Sequence, residues 1–282
     1  MSTFVLILSC RDAPGIVHAV SEVIWNFGGD VEESQQFGDR ETVRFFMRVA
    51  FAPGARASLD EWRSALSQVA GRFGMDWQLH DEAVPVRVSV MVSLGGHCLN
   101  DLMFRVRNGS LPVVVPAVVS NHEALRTLAE FYEVPFFHIP VDSDGKRAAE
   151  FRLRELVADL GIELVVLARY MQVLSDDLCK HLDGRAINIH HSFLPSFKGA
   201  RPYHQAHARG VKLIGATAHY VTTDLDEGPI IEQDVARVEH ALTADDLAAA
   251  GRDVEASVLA RAVRWHTEHR VLLNGRRTVV FR

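Results

Sequence analysis

The sequence predicts an α/β protein in two parts, a small βαββαβ unit followed by a larger unit built on a mostly parallel sheet. Three observations predict it. Between Phe4 and His80, two helical stretches interrupt four strand-like ones. Asp81-Glu82-Ala83-Val84-Pro85 is short, acidic and closed by proline, which suits a linker. Beyond it, apolar strands alternate with helical periodicity, the pattern of parallel βαβ units. The expected domains are therefore residues 1–83 and 84–282.

In the first part, Phe4 to Ser9 is a compact apolar run and reads as a strand. Asp12-Ala13-Pro14-Gly15 supplies a helix start. Ile16, Val17, Val20, Val23, Ile24 and Phe27 recur at helical spacing until Gly28-Gly29. A polar strand over 31–37 turns at Gly38-Asp39. Val43, Phe45, Met47 and Val49 then alternate with Arg44, Phe46 and Arg48, which predicts one buried face. A helix over 59–73 and a strand over 75–80 complete a ferredoxin-like order. With Arg11-Asp12-Ala13-Pro14-Gly15-Ile16-Val17 at its first loop, this part resembles an ACT domain. That resemblance implies self-pairing, hence a homodimer or homotetramer, and an amino-acid effector site.

In the second part, strands are expected over 87–93, 111–119, 135–139 and 162–168. Helices are expected from His97, over 122–131 and over 146–160. Two more strand-like runs, Ile187 to His190 and Gly215 to Val221, precede a long helix over 243–268 and a hairpin at Asn274-Gly275. In such a sheet, ligands sit at the C-terminal strand ends near the switch in strand order. Gly95-Gly96 lacks the third glycine of a dinucleotide loop and reads as a turn.

Composition narrows the classes. A 48% hydrophobic and 23% charged chain of 282 residues is an ordinary globular one. Net charge −6 gives no field to attract nucleic acid. Cys10, Cys98 and Cys179 are scattered, so neither a disulfide framework nor a zinc knuckle is expected; reduced thiols and a cytoplasmic location are. Met1 to Leu8 lacks a basic start and is too short to span a bilayer.

The chemistry concentrates at Ile187-Asn188-Ile189-His190-His191. In a strand, residues two apart share a face, so Asn188 and His190 point into one volume. An amide donor beside an imidazole suits an oxyanion. The loop Thr222 to Pro229 brings a carboxylate, Asp226, that can orient water. Taken singly, each has a plainer reading: Asn188 a turn amide, His190 a structural histidine, Asp226 a turn residue beside Gly228.

Asn188-x-His190, the Leu194-Pro195-Ser196-Phe197-Lys198-Gly199 tail and the His219…Asp226-x-Gly228 spacing resemble the folate-dependent formyltransferase superfamily. Within it the likeness is greatest to the 10-formyltetrahydrofolate deformylases, through His97-Cys98-Leu99-Asn100-Asp101-Leu102, Leu167-Ala168-Arg169-Tyr170-Met171-Gln172, Gly199 to Ala206 and the His190-His191 doublet. The resemblance spans essentially the whole chain. It implies a Rossmann-like formyltransferase domain over 84–282, with Asn188, His190 and Asp226 catalytic. It implies that Arg169, Tyr170, Met171, His191, His219 and Gly228 bind the substrate. The implied reaction is hydrolysis of 10-formyltetrahydrofolate to formate and tetrahydrofolate, with no cofactor and no metal. The formate would supply purine synthesis and balance one-carbon pools. Leu94 departs from the Lys that such relatives tend to carry there. Lys198 and Arg201 have two readings, folate-glutamate binding or loop solvation; His191 likewise replaces a proline for packing or touches the attacking water.

Three alternatives stay open at this stage. One is formyl transfer to an amine, as in glycinamide ribonucleotide transformylation. Another is metal-dependent hydrolysis, prompted by 14 histidines including His190, His191, His204 and His207, although no HExxH-type spacing occurs. The third is an amino-acid sensor with an inactive catalytic half.

Overall fold

A computed structural model describes residues 3–54, 57–142, 145–194 and 202–282. The chain forms two compact units. One comprises the chain through Pro85 with Glu268–Asn274 and Val279–Arg282; the other comprises Val86–Thr267 with Gly275–Thr278.

The first unit runs β1 (Phe4–Arg11), α1 (Ile16–Asn26), β2 (Asp30–Asp39), β3 (Arg44–Ala52), α2 (Leu59–Phe73) and β4 (Asp76–Asp81). Its antiparallel sheet has the order β2-β3-β1-β4, the predicted ferredoxin-like topology. Ser58 and Glu61 form a reciprocal capping box at the start of α2, and Gly74 ends it in the left-handed conformation. Leu6, Leu8, Met47 and Val49 pack against Ile16, Val20, Ile24, Trp62 and Leu66.

The expectation of one buried face on β3 is corrected. Both faces are buried, and Arg48 is 1% exposed. The chain's last residues supply the cover: Leu272 and Phe281 pack on Phe46. Arg48 is compensated by ion pairs with Glu33 at 2.6 Å and Glu82 at 3.6 Å and donates to the Glu268 carbonyl. Alternation reports one apolar face; it cannot report a charged residue neutralised from distant segments.

The second unit continues with β5 (Val86–Val92), α3 (His97–Arg107), β6 (Val113–Ser120), a 3₁₀ turn at Glu123–Leu125, α4 (Arg126–Phe131), β7 (Phe136–His138), α5 (Lys146–Asp159) and β8 (Leu164–Leu167). Then come α6 (Asp176–His181), β9 (Ala186–His190), α7 (Pro202–Ala208), β10 (Leu213–Tyr220), β11 (Ile230–Arg237), α8 (Ala244–Thr267), β12 (Val271–Asn274) and β13 (Arg277–Val280). The seven-stranded sheet has the order β11-β10-β9-β8-β5-β6-β7. β9 through β7 pair in parallel, whereas β10 and β11 join antiparallel. Pro116 inside β6 donates no ladder bond, and the β5–β6 register shifts beside it. Met91, Val165 and Leu167 face Ala149, Leu153 and Val157 of α5 and Leu178 of α6. α8 packs against β9, β10, β11 and α3. α6 and α7 were not expected; at six and seven residues they are too short for a helical period to register.

Strand order reverses between β5 and β8. Sheets of this kind bind ligands at the C-terminal strand ends near such a switch point.

Candidate active site

β9 lies next to β8, at that switch point, and carries the first two candidate catalytic side chains. Asn188 and His190 lie two residues apart on it, and β10 pairs with it so that His219 stands opposite Asn188 and Thr217 opposite His190. Asp226 arrives from the β10–β11 loop, held at a positive φ of 58°. The loop approaches closely because residue 228 is glycine. A Cβ there would lie 1.7 Å from the Tyr220 carbonyl oxygen and 3.2 Å from Nδ1 of His219. Gly228 thus shapes the loop without forming the cavity wall.

The structure brings the three candidate catalytic groups together. His190 Nδ1 is 3.2 Å from Asp226 Oδ1. An ionised carboxylate only accepts, so Nδ1 carries the proton. His190 is buried, and its Nε2 has no hydrogen-bond partner among the described residues. The hydrogen bond from His190 holds the Asp226 carboxyl well below the usual carboxylate range. His219 donates from Nδ1 to the Tyr220 carbonyl at 2.9 Å. Its Nε2 therefore accepts from Asn188 Nδ2 at 3.3 Å; the 3.7 Å separation from Asp226 is too long for a second bond. One N–H of Asn188 is fixed this way, and the other is left for a ligand.

A cavity of about 240 Å³ opens over this group. Its walls include Arg169, Tyr170, Met171, His191 and His219, with Leu167, Val173, Leu174, Ile189, Val221 and Leu225 as an apolar lining. His191 stacks on His190 with ring centroids 5.0 Å apart. Burial, and next the Arg169 charge, depress the pKa of His191 to about 4, so its ring is neutral at pH 7. Leu94 is exposed and does not line this cavity. Lys198, and Arg201 with it, lie outside the described residues, as do Pro195 to Gly199 of the sequence motif.

Support for the walls comes from residues that no motif marks. Ser93, at the end of β5, donates to Asn121 Oδ1 at 2.6 Å and accepts from the Met171 amide at 2.9 Å. It ties three strand ends to one cavity wall. Glu255, on α8 and 1% exposed, accepts from His97 and Tyr203 and forms an ion pair with Arg169 at 3.4 Å. Among the described residues, His97, Cys98 and Glu255 bring potential metal-ligand atoms within 4.8 Å of one another. The Arg169 guanidinium shares the carboxylate oxygen that a cation would need, and burial pushes the Cys98 thiol well up. These donors do not suit a resident metal.

Residues 86–263 match the formyl transferase family. The chain is 54% identical to a formyltetrahydrofolate deformylase from Corynebacterium sp. strain P-1, over 99% of this chain and 98% of that one. The crystal structure of a formyltetrahydrofolate deformylase from Burkholderia mallei superimposes with a TM-score of 0.96 at 50% identity, over 100% of both chains. A glycinamide ribonucleotide transformylase from Symbiobacterium toebii gives a TM-score of 0.68 at 30% identity, over 73% of this chain and 98% of that one.

Proposed function

The chain belongs to the formyl transferase family, and from that premise we propose that it hydrolyses 10-formyltetrahydrofolate to formate and tetrahydrofolate. The observation that carries the reading is His190: Nδ1 anchored on Asp226, Nε2 buried and unpartnered beside the cavity.

Asp226, held below its usual pKa, is a weak base in its own right. His190 Nε2 therefore takes the proton as water attacks the formyl carbon, and Asp226 stabilises the resulting imidazolium. The available N–H of Asn188 donates to the oxygen as it becomes an oxyanion. The imidazolium returns its proton to N10, the C–N bond breaks, and formic acid leaves, losing its proton to solvent to become formate. One proton is taken from water and one given to nitrogen, so His190 ends as it began. The apolar lining suits a planar ring system, and the wall from Arg169 to Leu174 supplies backbone donors and acceptors for its edge. No step needs a metal or a cofactor.

Transfer to an amine is the second reading, favoured by the fold shared with the transformylase. Incubation with 10-formyltetrahydrofolate and no acceptor discriminates between them. Stoichiometric formate release supports hydrolysis. Release only on adding glycinamide ribonucleotide would overturn it.

The formate is read as a supply for purine synthesis, the reaction as a balance on one-carbon pools, and the location as cytoplasmic. Among the described residues, no helix is long and apolar enough to cross a membrane. The 1–83 unit is read as an ACT-like effector and self-association domain, the remainder as catalytic. The exposed ten-residue edge strand β2 supports pairing into a homodimer or homotetramer.

A further inference from the structure

Glu255 is a carboxylate where an apolar side chain would be the simpler choice. It sits on α8, 1% exposed, against the core of the second unit. A buried carboxylate is tolerated only when donors surround it. Three do, each from a different element. His97 Nε2, at the start of α3, lies 2.8 Å from Oε2; Arg169 Nε, just past β8, lies 3.4 Å from the same oxygen; Tyr203 Oη, on α7, donates to Oε1 at 2.6 Å.

Two of these partners lead to the cavity. Arg169 has a φ of 66°, a left-handed backbone that a non-glycine residue adopts at a cost. It is also the residue from which the wall Tyr170 to Leu174 departs. Reversion to an ordinary φ would redirect that wall. The other path runs through Tyr203, whose ring lies 6.5 Å from His191, itself stacked on His190.

We propose that Glu255 is a positioning residue: it tethers Arg169 in its left-handed conformation and, through Tyr203, steadies His191, so that it sets the shape of the folate-facing wall without touching substrate. The assignment of folate as ligand rests on the reading above. A residue of this kind governs ligand affinity more than the chemical step.

The test compares wild type, Glu255→Gln, Arg169→Gly and the double variant in two measurements: the dissociation constant of tetrahydrofolate, and kcat and KM for 10-formyltetrahydrofolate. Glu255→Gln is expected to raise both Kd and KM about tenfold while kcat moves less than about threefold. Glycine adopts a positive φ without a tether. In the Arg169→Gly background, Glu255→Gln is therefore expected to change Kd by less than about twofold. Equal factors in the two backgrounds, or a Glu255→Gln protein that binds like wild type, overturn the proposal. If Glu255→Gln does not fold, Arg169→Ala against Arg169→Gly carries the test. Alanine has neither tether nor glycine's freedom and should bind about tenfold more weakly than glycine; equal affinities overturn the proposal. A wild type that binds tetrahydrofolate but releases no formate overturns the hydrolase reading alone, since the binding constants still judge the tether. A wild type that does not bind tetrahydrofolate overturns both.

Discussion

His190 Nδ1 stands 3.2 Å from Asp226 Oδ1, and this contact leaves Nε2 as the one ring nitrogen available to a ligand. In the proposed hydrolysis the pair works as a unit: the carboxylate sets the tautomer and stabilises the cation that the ring becomes. His190→Ala is expected to lower kcat by at least about a hundredfold while tetrahydrofolate binding stays within a few-fold. Single-turnover formate release with a parallel binding titration checks both halves, and a near-normal kcat would remove His190 from the mechanism.

In the proposed mechanism, Asn188→Ala removes the donor to the developing oxyanion. The expected loss is again about a hundredfold or more in kcat, with KM little changed. A variant that loses affinity but keeps kcat would make Asn188 a binding residue instead.

Asp226→Asn preserves shape and tolerates the positive φ, so it isolates the charge. The folded pKa of Asp226 is depressed, so its stabilisation is fully present above the unfolded value, about 4, and is lost as pH falls below it. Urea midpoints should put Asp226→Asn below wild type at pH 7, and the gap should shrink below about pH 4. A gap that is constant with pH would contradict the assigned pairing.

His191 moves stability in the same direction, although here folding favours the neutral form. Its folded pKa, about 4, lies below the ordinary histidine value, so the unfolded chain binds the extra proton between the two. Wild type is expected to lose stability relative to His191→Gln as pH falls from about 6.5 towards 4. Parallel stability profiles for the two proteins would show that the ring is not held neutral.

Ser93→Ala strands the Asn121 carbonyl and the Met171 amide inside the protein. The expected cost is about 1–3 kcal/mol in stability, with a raised KM because Met171 lines the cavity. Chemical denaturation and steady-state kinetics test the two effects separately.

Much of this was legible along the chain. The alternation of Val43 to Val49 and the helical spacing of Ile16 to Phe27 determine elements locally, because each periodicity reports one apolar face. Strand geometry put Asn188 and His190 on one face, and the family motif joined Asp226 to them. What the sequence by itself determined is therefore the order of elements and the residue types available for chemistry. Tertiary structure alone decided that β3 is covered on both faces, that Ser93 secures the wall at Met171, and that Glu255 reaches Arg169 across 86 residues of chain. Periodicity is a property of neighbours in sequence. A buried hydrogen bond depends on where separate elements come to rest in space, and no local pattern encodes that.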